Sequence, residues 1–179
     1  MTHWGLSGPA VLKLSSWGAR WLHDVEYCAG LRINWLPEIK PGEILHQLRE
    51  LRDSQLSKVA PGDQSFGLPR RLWVRLAKTA GISAPSKWSE VSNEKLAALA
   101  QELQDGLYAM SGKSAFKEEF VTCGGVRLDE VDFRTMESKR CPKLYLAGEI
   151  LDIDGLTGGF NFQSAWTTGW LAGKSAATA

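Results

Sequence analysis

The sequence predicts an α+β fold, and three observations carry it. Apolar residues recur at helical spacing through most of the first 110 residues and again at the end. One early stretch alternates with period two, as a strand does. From Lys113 onward the pattern turns to short alternating runs broken by glycine, closing on an apolar run, a glycine-rich turn and a last helix. A boundary near Ser111-Gly112 divides a first, mainly helical portion from a second, strand-and-turn portion.

The first helix is set by Leu6-Ser7-Gly8-Pro9-Ala10, where Ser7 or Gly8 caps and Pro9 suits the first turn. Val11, Leu14, Gly18 and Trp21 or Leu22 then share one face. Val25 to Leu36 alternates and reads as a half-buried strand. Beyond Pro37 and Pro41-Gly42, the apolar positions Ile44, Leu45, Leu48, Leu51, Leu56 and Val59 predict a helix over 43–59. A loop through Gln64 leads to a shorter helix carrying Leu72, Trp73, Leu76 and Ala77, with Gly81 as its stop. Ser92-Asn93-Glu94 opens another, whose stripe of Leu96, Leu99, Leu103 and Leu107 runs to about Tyr108. These three helices form a small bundle on the preceding strand, their leucines core rather than zipper. Phe116 to Thr122 alternates, Cys123-Gly124-Gly125 bends the chain, and Val126, Leu128 and Val131 continue it. In the last helix Ala165, Gly169 and Ala172 make a small-residue stripe for close packing on a sheet.

Composition excludes more than it assigns. A chain of 179 residues buries roughly 70% of its unfolded surface, enough for a core. A net charge of +1 gives no global case for nucleic acid or an acidic membrane. No apolar run approaches the roughly 20 residues of a membrane helix, and no signal-peptide core is present, so a cytoplasmic protein is expected. Cys28, Cys123 and Cys141 lack metal or redox spacing and read as reduced thiols; no metal site is expected. The eight tryptophans are expected mostly in the core. His3, beside a glycine turn, reads as a packing histidine, since spacing fixes no second titratable group near it. Arg70, Arg71, Arg75 and Lys78 share a helix face that could grip phosphate but reads first as solvated, because no aromatic stacking platform lies beside it.

Chemistry concentrates in the closing stretch. Leu144-Tyr145-Leu146-Ala147 ends in Gly148-Glu149, a turn rich in Gly and Asp follows, and Thr157, Gly158, Gly159, Phe160 and Asn161 lie where the last helix begins. Strand, glycine loop and helix N-terminus together present free N–H groups and a positive dipole end to electron-rich oxygens. Asp152 and Asp154 either shape this loop or face a ligand; spacing does not decide between the two. No Ser-His-Asp order, acid–base pair or metal spacing assigns a catalytic residue.

At these residues the chain resembles a known family. LYLAGEILDIDGLTGGFNFQSAW, with VTCGGVRL and TMESK upstream and THWGLSGPA at the start, is similar to the bacterial FAD-dependent oxidoreductases that include aminoacetone oxidase and the BaiN-like flavoproteins. The resemblance implies a partial α/β flavoprotein fold. Residues 1–110 would be the C-terminal part of an inserted domain, helices plus a strand, and 111–179 the C-terminal part of a FAD-binding domain. It places Gly148 and Glu149 at the ribityl or neighbouring FAD hydroxyls, and Gly158, Gly159, Phe160 and Asn161 at the flavin pyrimidine edge. The Gly-x-Gly-x-x-Gly turn that holds the FAD pyrophosphate in that family is not found in this sequence. The expectation is therefore the C-terminal portion of an oxidoreductase, inactive alone and binding FAD only with the missing N-terminal portion. Its partners would be that portion or a second copy through open sheet edges, with no nucleic acid and no membrane. The rival expectation is a non-enzymatic structural or interaction module that kept this fold and lost the cofactor.

Overall fold

The structure is a computed structural model that describes residues 5–62, 66–113, 121–156 and 158–179. His3, Trp4, Gln64, the run Phe116 to Phe120 and Thr157 lie outside the described residues. The fold mixes helices with small two-stranded sheets. Contacts divide the chain into a helical unit, Ala29–Met110, and a closing unit made of Met1–Cys28 and Ser111–Ala179.

In the helical unit, α2 (Glu43–Ser54), α3 (Arg70–Thr79) and α4 (Asn93–Asp105) enclose one core. Ile44, Leu48, Trp73, Ala77, Trp88, Leu96, Leu99 and Leu103 are fully buried there, so the helical periodicity picked the inward faces. Ser92 caps α4 by accepting the Lys95 amide at 3.3 Å, and α3 gives way to Gly81 in a left-handed conformation. Strands β1 (Cys28–Ile33) and β2 (Gly106–Ser111) pair with each other. The unit lacks the single long strand expected over 25–36. Amides of Glu26, Tyr27 and Cys28 instead bond back to carbonyls of His23, Leu22 and Val25, satisfying the end of the preceding helix. At the other end Asn34 Oδ1 accepts the Leu36 amide at 2.9 Å, turning the chain.

Two helix ends also differ from expectation. α2 stops at Ser54, because residues beyond it pair elsewhere: the Ala60 amide reaches the Ser86 carbonyl and the Trp88 amide the Lys58 carbonyl. α4 stops at Asp105, where Gly106 turns extended and opens β2. Leu107 is thereby carried out of the leucine stripe to 66% exposure.

Tyr108 on β2 donates to the Glu102 carboxylate, accepts from Trp35 Nε1 at 3.1 Å and meets the Trp35 ring edge-on. Burial first, then the bond to Glu102, pushes its phenol from 10.0 up to about 12. The folded state thus holds this proton more tightly than the unfolded chain. The contribution is complete below pH 10 and is lost as pH rises toward about 12. Urea midpoints measured across that window are expected to fall, and Tyr108→Phe is expected to flatten part of the fall.

The closing unit contains α1 (Pro9–Asp24), β3 (Val131–Asp132), β4 (Glu137–Ser138) and α5 (Phe160–Ala176). β3 and β4 are antiparallel, with Val131 opposite Ser138 and Asp132 opposite Glu137. The apolar run at Leu144 forms no extended strand. Tyr145 makes a single bridge to Glu137, and the Leu146 amide reaches the Met136 carbonyl, since Met136 and Lys143 are both left-handed and turn the chain at either side. Val126 bridges Leu151 in parallel. A small core of Val131, Met136, Leu146, Leu151 and Ala172 results.

The tryptophans correct the expectation of burial. Trp73 and Trp88 are buried and Trp35 is half-buried, but Trp17, Trp21, Trp166 and Trp170 are 56–70% exposed. Their helices explain this. α5 turns Thr168 and Ala172 inward, which places Phe162, Trp166 and Trp170 on its outer stripe, and α1 buries none of its residues. Gly169 faces open space, so of the small-residue stripe only Ala165, beside Gly148, and Ala172 pack inward.

Candidate functional site

The closing motif is built on the turn between Val126 and α5. The Val126 amide donates to the Ile150 carbonyl at 2.8 Å and the Asp152 amide to the Val126 carbonyl at 3.0 Å, fixing the segment that carries Gly148 and Glu149. The Gly148 amide donates to Thr168 Oγ1 at 3.0 Å, while the same hydroxyl donates to the Ser164 carbonyl at 2.7 Å. The buried Thr168 therefore ties the Gly148–Ile150 turn to the side of α5. Glu149 is exposed, and its carboxylate has no partner among the described residues.

The entry to α5 is held by Asn161. Its Oδ1 accepts the Gly155 amide at 2.7 Å and its Nδ2 donates to the Gly155 carbonyl at 2.9 Å, a two-point clamp across the loop. That side chain is committed to the loop at Gly155. Gly158 and Gly159 are left-handed, at φ 141° and 92°, conformations that only glycine adopts readily. Gly159 is the N-cap residue, no side chain caps the helix among the described residues, and Phe160 is 65% exposed. The first turn of α5 thus presents N–H groups and the positive dipole end without a capping carboxylate or hydroxyl.

Asp152 and Asp154 take structural partners. Both oxygens of Asp152 accept from Arg20 of α1, at 2.6 and 2.8 Å. The Cys123 thiol is held above its ordinary range, by its bond to Asp154 first and by burial next. Asp129 is held below the usual carboxylate range by its bond to Arg127. Among the described residues no group of three or more His, Cys, Asp or Glu is arranged to hold a metal, and no helix is long and apolar enough to cross a membrane.

Of the six predicted cofactor residues, the structure sets Gly158, Gly159, Phe160 and Asn161 together at one helix start. Gly148 and Glu149 are joined to the same helix through Thr168. Thr168 escaped the sequence reading. Its position three residues after Ala165, on the inward face of the last helix, was the available signal.

Residues 19–175 of this chain match the family of the HI0933-like protein Rossmann domain. The chain is similar to a ribosomal RNA dihydrouridine synthase of Escherichia coli K12, 36% identical over 174 residues, covering 97% of this chain and 40% of that protein. It is 33% identical over 181 residues to a 3-dehydro-bile acid delta(4,6)-reductase of Clostridium scindens, covering 99% of this chain and 43% of that one. A second ribosomal RNA dihydrouridine synthase, from Haemophilus influenzae, is 30% identical over 174 residues, covering 97% and 41%. The chain spans less than half the length of these relatives. With 157 of its residues inside the matched region, it belongs to the HI0933-like Rossmann-domain family.

Proposed function

We propose that this chain is the C-terminal portion of a cytoplasmic FAD-dependent oxidoreductase, and that it supplies the flavin-ring side of the cofactor site. One observation carries the reading: the start of α5, on a left-handed and exposed glycine pair, offers N–H groups that no side chain caps among the described residues. Such a donor set suits the electron-rich oxygens of a flavin pyrimidine edge, and the dipole end favours negative charge there. Gly158, Gly159, Phe160 and Asn161 would hold that edge through backbone amides, and Glu149 would meet the ribityl hydroxyls. FAD, when bound, supplies the hydride chemistry. The chain's own part is to orient the ring, through the Asn161 clamp and the Thr168 tie.

A second polypeptide segment, bearing the pyrophosphate-binding turn, would complete the site. The exposed aromatic stripe Phe162, Trp166 and Trp170 supports such a covering partner, because apolar area of this extent is rarely left to water. The names of the relatives indicate a ring double bond as the substrate class. Ribosomal RNA is the candidate we favour for this chain, through two of the three relatives.

The test is a FAD titration followed at the flavin absorbance bands, with the N-terminal segment of the Escherichia coli relative supplied as a separate polypeptide. A yellow complex is expected, and Asn161→Ala is expected to weaken FAD about tenfold, or about 1.4 kcal/mol, by releasing the loop at Gly155. Protein that stays colourless with and without that segment would favour the non-enzymatic module instead.

A further inference from the structure

We infer that the outer face of α3 is an RNA phosphate-binding surface. The inference rests on the RNA reading above and deepens it by naming the surface that engages the polynucleotide backbone. It also revises the expectation, drawn from a net charge of only +1, that nucleic acid is not a partner.

α3 has the sequence RRLWVRLAKT, with four cations and no acid. Trp73, Leu76 and Ala77 anchor its inner face in the core, so the helix presents a fixed outer face. Arg71, Arg75 and Lys78 stand at i, i+4 and i+7 on that face, with Arg70 beside them, and all four are exposed. None makes an ion pair with a carboxylate among the described residues. Elsewhere in the unit Arg32 is paired with Asp105, and Arg52 with Asp53 and Asn93. Of the surrounding groups, Arg75 is felt electrostatically at the Tyr108 hydroxyl, itself bonded to Glu102. Arg75, Lys78 and Thr79 line a depression of about 330 Å³. Beyond it the Lys95 side chain of α4 reaches the turn at Gly81, its Cε 3.6 Å from where a Cβ on Gly81 would sit. A further cation, Lys95, thus stands beside the turn that follows α3.

Uncompensated cations on a rigid helix match a polyanion with regularly spaced charges. Because the face has no aromatic platform, its contacts would go to phosphates and would be sequence-independent, leaving base selection to the flavin site.

The experiment measures binding of the full chain to a fluorescent RNA hairpin of mixed sequence by anisotropy, across a series of salt concentrations. The wild type is compared with Arg71→Glu/Arg75→Glu/Lys78→Glu and with a charge-matched reversal elsewhere on the unit, Lys40→Glu/Arg49→Glu/Lys58→Glu. The α3 reversal is expected to lower affinity at least about tenfold at low salt and to make the salt slope shallower by about two to three. The control reversal is expected to have a much smaller effect. Circular dichroism checks folding, and the neutral Arg71→Gln/Arg75→Gln/Lys78→Gln variant replaces the reversal if it unfolds. Equal losses in both reversals, or a wild type that fails to bind RNA at low salt, overturn the proposal. Flavin absorbance of the same variants, recorded with FAD and the N-terminal segment of the Escherichia coli relative present, separates the two readings: α3-dependent RNA binding by protein that stays colourless under those conditions would sink the flavin site and leave this surface standing.

Discussion

Replacing Trp73 by alanine is expected to cost the helical unit about 4 kcal/mol, enough to unfold it at modest urea concentrations. Trp73 is fully buried at the centre of the α2–α4 core, its indole Nε1 donates to the Pro61 carbonyl at 3.1 Å, and its ring lies 5.9 Å from that of Phe66. Truncation removes the packing, opens a cavity and orphans a buried carbonyl together. Trp73→Phe keeps one aromatic ring while removing the donor and part of the ring volume, and is expected to cost about 2 kcal/mol. The adjacent Val74, 40% exposed, is expected to tolerate alanine with a change near 0.5 kcal/mol. Urea unfolding with unchanged slope measures all three, and a loss below about 1 kcal/mol for Trp73→Ala would contradict the packing described.

Gly125→Ala is expected to cost the closing unit about 3 kcal/mol. Gly125 has φ 147°, and a Cβ there would meet the Ile150 carbonyl oxygen at 2.5 Å, Leu151 C at 2.7 Å and Asp152 N at 2.9 Å. All three are backbone atoms of the segment that carries Glu149, so no flexible side chain can yield. Gly124→Ala is the control. Its φ is 115° with nothing near a new Cβ, so it bears only conformational strain, about 1 kcal/mol. Hydrogen exchange at the Val126 and Asp152 amides reads the effect locally, because those two amides close the bridge. Protection lost in Gly125→Ala and kept in Gly124→Ala is the expected pattern.

The helices were legible in the sequence because each buries one face at a 3.6-residue period, and the cap at Ser92 and the stop at Gly81 follow from local chemistry. The strands were less legible. Of the alternating stretch after Val25, Cys28–Ile33 does form β1, but Glu26 and Tyr27 are taken by the turn that ends α1, and Leu107 follows its helical stripe in sequence while pairing in β2. At that length, tertiary partners outweigh pattern. Tryptophan burial misled for a different reason: the helix face decides it, and Trp166 and Trp170 stand on the outer stripe of α5 while Thr168 and Ala172 turn inward. In the candidate site, glycine spacing pointed to the α5 entry. The Asn161 clamp and the Thr168 tie depend on side-chain rotations that spacing does not encode.

Backbone amide chemical shifts of the isotopically labelled chain, recorded on adding FAD in the presence of the N-terminal segment of the Escherichia coli relative, bear most directly on the flavin site. Shifts concentrated at Gly158, Gly159, Phe160 and Asn161 are predicted. A complex that binds FAD and leaves those four amides unmoved would contradict the assignment.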